Sequence, residues 1–312
     1  MTIELKTSDT SVKYAIGIDL GGTFIKAGVV DSRGKLYNQF EIESYSEVSP
    51  QKVISQIALA IKELQNKFKK EISGVGIGSP GIVTNGVVKY PPNFKNWKEV
   101  KLGHEIEKKF TTRVYLNNDA KCAGLAELSF GHGKKYKDFI FLTLGTGIGG
   151  AIFIDGQLYP GEQNGAGEFG MASINFNGPD FKAGNKGAIE AYIGRRNFLK
   201  SEKKVIKKLG KNIDFKELAE LASMNNKTAK ELFKKYGFYL GVALTNYFNL
   251  MDVRTAVLGG GISNCYKYFI GKCNKTIKER SLITIRNEFR VLRSELSNNA
   301  GVLGAAAQVF GS

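Results

Sequence analysis

Two glycine-rich turns, each fed by an apolar run and far apart in the chain, constrain the fold more than any other feature. The first is Ala15-Ile16-Gly17-Ile18-Asp19-Leu20-Gly21-Gly22-Thr23, continuing to Lys26. The second is Phe139-Ile140-Phe141-Leu142-Thr143-Leu144-Gly145-Thr146-Gly147-Ile148-Gly149-Gly150. Both runs are rich in β-branched and aromatic residues, which predicts a buried strand entering a tight bend in each place. Glycine at the bend permits positive φ and lets a ligand approach main-chain N–H groups with no Cβ in the way. One such turn reads as an ordinary hairpin. Two, each with Gly-Thr or Thr-Gly at the bend, predict paired phosphate-gripping hairpins and phosphoryl chemistry in a cleft between two halves.

Neither turn has the Gly-Lys-Ser/Thr ending of a P-loop, nor glycines that open a helix as in a dinucleotide fingerprint. Apolar residues resume after both bends, at Ile25, Ala27 and Val29 and again at Ala151, Ile152 and Phe153, so strand–turn–strand is the predicted local structure. Asp19 closes the first strand. Standing alone it reads as a turn cap; beside a second glycine hairpin it reads as a carboxylate holding water on a nucleotide-bound Mg²⁺.

The 312 residues suit two domains, and a hydrophobic content of 42% is enough for two cores. Met1–Lys13 is polar and carries no apolar leader, and no apolar stretch reaches spanning length. Cys122, Cys265 and Cys273 lack metal-ligand or redox spacing, so reduced thiols in a cytoplasmic protein are expected. The net charge of +16 gathers partly in Lys200, Lys203, Lys204, Lys207, Lys208 and Lys211, spaced to line one helix face. No base-reading or stacking element accompanies it, so the stripe reads as solvated surface, with no nucleic-acid or membrane partner.

Periodicity organises the rest. Val53, Ile54, Ile57, Ile61, Leu64 and Phe68 predict an amphipathic helix, and Gly74–Gly78 predicts a short strand running into Ser79-Pro80-Gly81. Val114-Tyr115-Leu116 predicts another strand, followed by Asn117-Asn118-Asp119 and a helix through Leu128. Asp214 is placed to cap a helix containing Leu218, Leu221 and Ala222. A long helix from about Thr228 to Leu250 leads to the strand Ala256-Val257-Leu258 and a third glycine turn, and a last helix spans about Ala300 to Phe310. Asp119, at a strand-to-helix junction, has two readings from its position alone: a general base for an attacking hydroxyl, or an N-cap.

Gly17 to Lys26, Gly78-Ser79-Pro80-Gly81, Pro92-Asn93, Asn118-Asp119, Gly145 to Gly150, Gly165-Ala166-Gly167-Glu168, Glu190 and Leu258-Gly259-Gly260-Gly261 fall in the order seen in the ROK sugar kinases. The chain resembles that family from about Tyr14 to Ala307. The resemblance implies an α/β fold of two actin-like (ribonuclease H-like) ATPase domains with a cleft between them. Its implied boundaries are residues 1–118 plus 298–312 for a small domain and 119–297 for a large one, with the last helix folding back onto the first domain. It implies a homodimeric hexose kinase, with glucose favoured, using ATP and Mg²⁺. Asp119 would take the proton from the sugar hydroxyl. Ser79, Asn93, Asn118, Asp119, Glu168 and Glu190 would contact the sugar. Asp19, Gly21, Gly22, Thr23, Lys26, Gly145, Thr146, Gly147, Gly149, Gly260 and Gly261 would hold the nucleotide, with Asp19 reaching the metal through water. Trp97, near Asn93, reads either as a cleft-flanking ring or as a core or hinge residue.

One departure from the family is plain. Many members carry a His and three Cys that bind one zinc; the corresponding positions here are Met171, Phe181, Ala183 and Ala188, and His104 and His132 offer no replacement set. No zinc site is expected, and a small hydrophobic cluster of those residues is the expected substitute. Other readings are a kinase for another hexose or an N-acetylhexosamine, a polyphosphate-dependent glucokinase, a sugar-sensing regulator, and an actin-like assembly or chaperone-type ATPase. Family regulators place a DNA-binding domain before the first hairpin, where some thirteen residues precede Tyr14; Asn118-Asp119 and Glu168 argue against an assembly ATPase.

Overall fold

The computed structural model describes residues 12–311. The stretch read for a leader, Met1–Lys13, lies outside them except for Val12 and Lys13. The chain divides into two compact units: one runs through Cys122 and resumes from Gly301, and the other is Ala123–Ala300.

In the first unit, β1 (Tyr14–Leu20) and β2 (Phe24–Asp31) form the first glycine hairpin, antiparallel, with Gly17 opposite Gly28 and Asp19 opposite Lys26. Strand β3 (Leu36–Glu43) extends it. Helix α1 (Pro50–Lys67) starts where Ser49 Oγ accepts the Lys52 N–H at 3.2 Å and proline occupies the first turn, and it buries Val53, Ile57, Ile61 and Leu64. Strand β4 (Val75–Ser79) pairs parallel to β1. A small antiparallel sheet of β5 (Ile82–Thr84), β6 (Val87–Lys89) and β7 (Glu99–Val100) follows, then helix α2 (Leu102–Phe110). Strand β8 (Val114–Asn118) lies parallel beside β4 and feeds α3 (Asp119–Phe130), so the main sheet has the order β3-β2-β1-β4-β8. Trp97 belongs to this unit's core: it is 4% exposed, donates to the Val88 carbonyl at 3.2 Å, and meets Phe94 edge-on.

The C-terminal helix, Ala300–Phe310, lies against this sheet. A methyl group on Gly17 would overlap the Val302 carbonyl, and one on Gly76 would overlap the Ala305 carbonyl. Strand backbone and helix backbone therefore touch directly, a spacing open only to glycine.

In the second unit, β9 (Phe139–Leu144) and β10 (Ile148–Ile154) form the other glycine hairpin, and β11 (Gln157–Leu158) continues it. Short helices α4 (Ile189–Ile193), α5 (Arg195–Ser201) and α6 (Lys203–Ile206) precede α7 (Phe215–Ser223), which Asp214 and Glu217 start with a reciprocal capping box. The long helix α8 (Lys227–Met251), strand β12 (Thr255–Gly259), helix α9 (Tyr266–Arg280) and strand β13 (Arg290–Arg293) complete the unit. The sheet order β11-β10-β9-β12-β13 repeats the wiring of the first unit, antiparallel hairpin strands on one side and parallel strands on the other. Ile140, Leu142 and Leu144 on one sheet face pack into the α8 core, while Phe139, Phe141 and Phe153 pack on the other face beside Leu125 and Leu128 of α3.

The lysine stripe read as one helix face is broken. Glu202 separates α5 from α6, is 8% exposed, and takes Lys235 Nζ at 2.6 Å, so the lysines that follow ride a second short helix and a turn. Among the described residues no helix is long and apolar enough to cross a membrane.

Because the helix-to-sheet contact is backbone on backbone, Gly76→Ala should destabilise the protein by about 3 kcal/mol, the upper end of overpacking costs. Urea unfolding measures it; a change under about 0.5 kcal/mol, the usual size for a surface substitution, would mean that the helix moves away freely.

Candidate functional site

The first unit brings most of its sequence-predicted site residues to the carboxyl ends of β1, β4 and β8, where open α/β sheets bind ligands. Asp19 lies on β1 beside Gly78 of β4, and Ser79 pairs with Asn118 of β8. Asn118, rather than Asp119, caps α3: its Oδ1 accepts the N–H groups of Ala120 at 3.0 Å and Lys121 at 3.3 Å, and its Nδ2 donates to the Gly81 carbonyl at 3.1 Å. Asp119 is then the first helical residue, with Oδ1 accepting the Ala120 N–H at 2.8 Å. Burial holds its carboxyl above the usual range against the opposing pull of that N–H. Asp19 is pushed up to about 6, first by burial and then by the charge of Asp119, with Lys26 acting the other way. A side chain at position 301 would run into the Asp19 carboxylate, so Gly301 of the C-terminal helix leaves it room.

The Gly21-Gly22-Thr23 bend is closed by the Gly21 N–H on the Phe24 carbonyl at 3.0 Å. From outside, Ser44 and Ser46 hydroxyls donate to the Gly22 carbonyl at 2.8 Å and 2.5 Å. Asn93 sits in the left-handed region, φ 68°, with its Cβ 3.6 Å from where a Gly22 Cβ would stand. Lys26 lies 3.9 Å from Glu41, half-exposed. Ser79 is wholly buried and donates to the Pro80 carbonyl at 3.1 Å.

In the second unit the Gly145-Thr146-Gly147 bend closes with the Gly145 N–H on the Gly147 carbonyl at 3.1 Å, and the Arg195 N–H donates to the Gly145 carbonyl at 2.9 Å. The Arg195 side chain in turn bonds the Asp214 carboxylate, tying the bend to the cap of α7. Gly149 lies within β10, opposite Thr143. Glu190, on α4, is joined to the same hairpin: its Oε2 accepts the Ile148 N–H at 2.8 Å, and a Cβ on Gly147 would stand 2.6 Å from that oxygen. Glu168 is exposed and precedes a short 3-10 turn. Gly260 takes φ 79° after β12, and Ser263 donates its hydroxyl to the Gly260 carbonyl at 2.7 Å. A Cβ on Gly145 or on Gly261 would meet nothing within 4 Å, so both bends face open space that side chains would fill. Those bends suit a triphosphate, and the Asp19 carboxylate suits a hydrated Mg²⁺.

The apolar cluster expected of Met171, Phe181, Ala183 and Ala188 does not form around Met171 and Phe181. Met171 and Phe181 stay half-exposed and outside the hydrophobic core, while Ala188 is buried. Hydrogen bonds do the closing: Ile174 N–H to the Gly187 carbonyl at 2.9 Å, Asn185 Nδ2 to the Met171 carbonyl at 2.5 Å, and Ser173 Oγ to the Lys186 carbonyl at 2.6 Å. Among the described residues no three His, Cys, Asp or Glu side chains gather as a metal site. Lys182, which sequence reasoning passes over, sets its ammonium 2.9 Å from Glu190 Oε1. Its one sequence signal is its place between Phe181 and Ala183.

The family model described as ROK family matches residues 15–311. A glucokinase of Thermotoga maritima is 31% identical over 94% of this chain and 96% of its own. A xylose repressor of Bacillus spizizenii is 29% identical over 95% of this chain and 77% of its own. The crystal structure of a ROK family glucokinase from Streptomyces griseus, in complex with glucose and AMPPNP, superimposes with a TM-score of 0.82 at 28% identity, covering 96% of this chain and 100% of that one.

The Asp19 carboxyl titrates at about 6 in the fold against 3.8 when free, so the folded state binds its proton more tightly. That contribution to stability is complete below the free value and is lost as the pH rises through about 6. In protein free of metal and nucleotide, Asp19→Asn should therefore melt higher than wild type at pH 8, with the gap closing toward pH 4. A wild type as stable as the variant at pH 8 would count against a strained carboxylate.

Proposed function

The chain belongs to the ROK family, and we propose that within it this protein is an ATP-dependent hexose kinase that forms glucose 6-phosphate. Its two sheets of matching order are the two-domain actin-like ATPase fold. The observation that carries the proposal is the Asp119 carboxyl, fixed at the start of α3 by the Asn118 cap and raised by burial. A rigid carboxylate with a raised pKa is suited to take a proton from an alcohol, and phosphoryl transfer otherwise needs positioning and charge stabilisation.

In this reading the 6-hydroxyl of the sugar gives its proton to Asp119, and its oxygen attacks the γ-phosphorus of ATP. The β,γ-bridging oxygen leaves with ADP. The bends at Gly21-Gly22-Thr23, Gly145-Thr146-Gly147 and Gly260-Gly261 hold the nucleotide, and Lys26 and Gly149 support them. Asp19 would hold Mg²⁺ through water, where the ion neutralises phosphate charge. Asn93, Glu168 and Glu190 bind sugar hydroxyls. Ser79 and Asn118 complete the sugar-contacting set, with Asn118 also capping α3. The likeness to the Thermotoga maritima and Streptomyces griseus glucokinases supports glucose as substrate and ATP as donor.

The likeness to a xylose repressor favours a second reading, in which the same site senses a sugar without turning it over. ADP release measured with glucose, fructose, mannose, N-acetylglucosamine and N-acetylmannosamine separates the two, and repeating it with polyphosphate tests the donor. Asp119→Ala should lower kcat by about 10²–10⁴-fold while leaving ATP binding nearly intact. Wild-type turnover in that variant would remove Asp119 from the mechanism, and sugar binding with no turnover in the wild type would favour the sensor.

A further inference from the structure

Glu190 is held more firmly than a carboxylate on a short helix needs to be. Its Oε2 accepts the Ile148 N–H at 2.8 Å, and Cβ atoms on Gly147 and Gly170 would stand 2.6 Å and 3.1 Å from that oxygen. The group is thereby seated against the hairpin, and its side chain is only 14% exposed. The second oxygen, Oε1, faces Lys182 Nζ at 2.9 Å. Lys182 belongs to a 3-10 turn inside the hydrogen-bonded segment, its ammonium lies 5.2 Å from the Phe181 ring centroid, and its side chain remains 68% exposed. An ion pair with one partner that open to water adds little to stability, so its use is better sought in recognition.

We propose that Lys182 and Glu190 together read one hydroxyl of the hexose, which donates to Glu190 Oε1 and accepts from the Lys182 ammonium. The inference rests on the hexose-kinase reading above and adds Lys182 as a specificity residue of the same site. A carboxylate only accepts and an ammonium only donates, whereas a hydroxyl does both from one atom. The pair therefore matches a free hydroxyl. It does not match a deoxy carbon, which offers the pair neither a donor nor an acceptor, nor an N-acetyl group, whose N–H and carbonyl sit on different atoms, point in opposite directions and carry a bulky methyl. Polar groups placed for a substrate hydroxyl reject the analogue that lacks it far more strongly than an apolar pocket rejects a missing methylene.

The test compares wild type, Lys182→Met and Lys182→Arg on glucose and on its 1-, 2-, 3- and 4-deoxy analogues. Lys182→Met should raise KM for glucose about tenfold or more with kcat changed less than about threefold, and Lys182→Arg should recover part of the loss. For one analogue, the one lacking the hydroxyl that is read, wild type and Lys182→Met should have the same KM. A merely structural lysine would raise KM equally for all the sugars, and that result overturns the proposal, as does an unchanged KM for glucose. If the wild type phosphorylates no hexose, the hexose-kinase reading fails and this inference with it; a wild type active on glucose with an indifferent Lys182→Met sinks this inference alone.

Discussion

The first unit depends on a contact made without side chains. At Gly17 and Gly76 the backbone of the C-terminal helix rests directly on adjacent strands β1 and β4. The same helix then passes Asp19 at Gly301, so one run of small residues both covers the sheet and leaves room for the carboxylate. The covering is tight on the inner side too: Gln308 Nε2 reaches Cys122 Sγ at 3.4 Å, and a Cβ on Gly78 would stand 3.1 Å from that sulfur. Burial, then the charges of Asp119 and Asp19, push the Cys122 thiol well up, so it stays neutral beside two carboxylates that already repel each other.

The second unit repeats the sheet order but solves a different problem. Its glycine bend is fastened from the helical side, through Arg195 to the Gly145 carbonyl and the Asp214 carboxylate, and through Glu190 to the Ile148 N–H. Loops alone would leave such a bend soft. Here the groups that fix the backbone are the ends of α4, α5 and α7, elements anchored by Ile189, Ile193, Phe198 and Phe215 in the core. Glu190 and the glycine bend thus share one scaffold.

Much of this was legible in the sequence. Both hairpins, α1, the capped α7, α8 and the strand-to-helix junction at Asp119 follow from period, glycine and cap residues, because those signals act within a few positions of themselves. The strands β5, β6 and β7 are too short to carry a period. Lysines 200 to 211 kept helical spacing in sequence, yet the burial of Glu202 against Lys235, far along the chain, decides where the helix breaks. The expected cluster of Met171, Phe181, Ala183 and Ala188 does not form around Met171 and Phe181 for a similar reason: backbone and amide hydrogen bonds already close the segment, so those two need not be buried. The site shows the same limit. Asp19 and Asp119 could be picked out one by one, but their mutual repulsion, and the pairing of Lys182 with Glu190, are tertiary facts.

The place of the C-terminal helix also sets an order of assembly during synthesis. A ribosome releases the strands of the first sheet early, yet the residues that must lie on Gly17 and Gly76 are made only after Ala123–Ala300. The middle of the chain, Ala123–Ala300, has every strand and helix of its own unit in hand sooner. The nascent N-terminal sheet therefore keeps a glycine-lined face uncovered while the whole second unit is made.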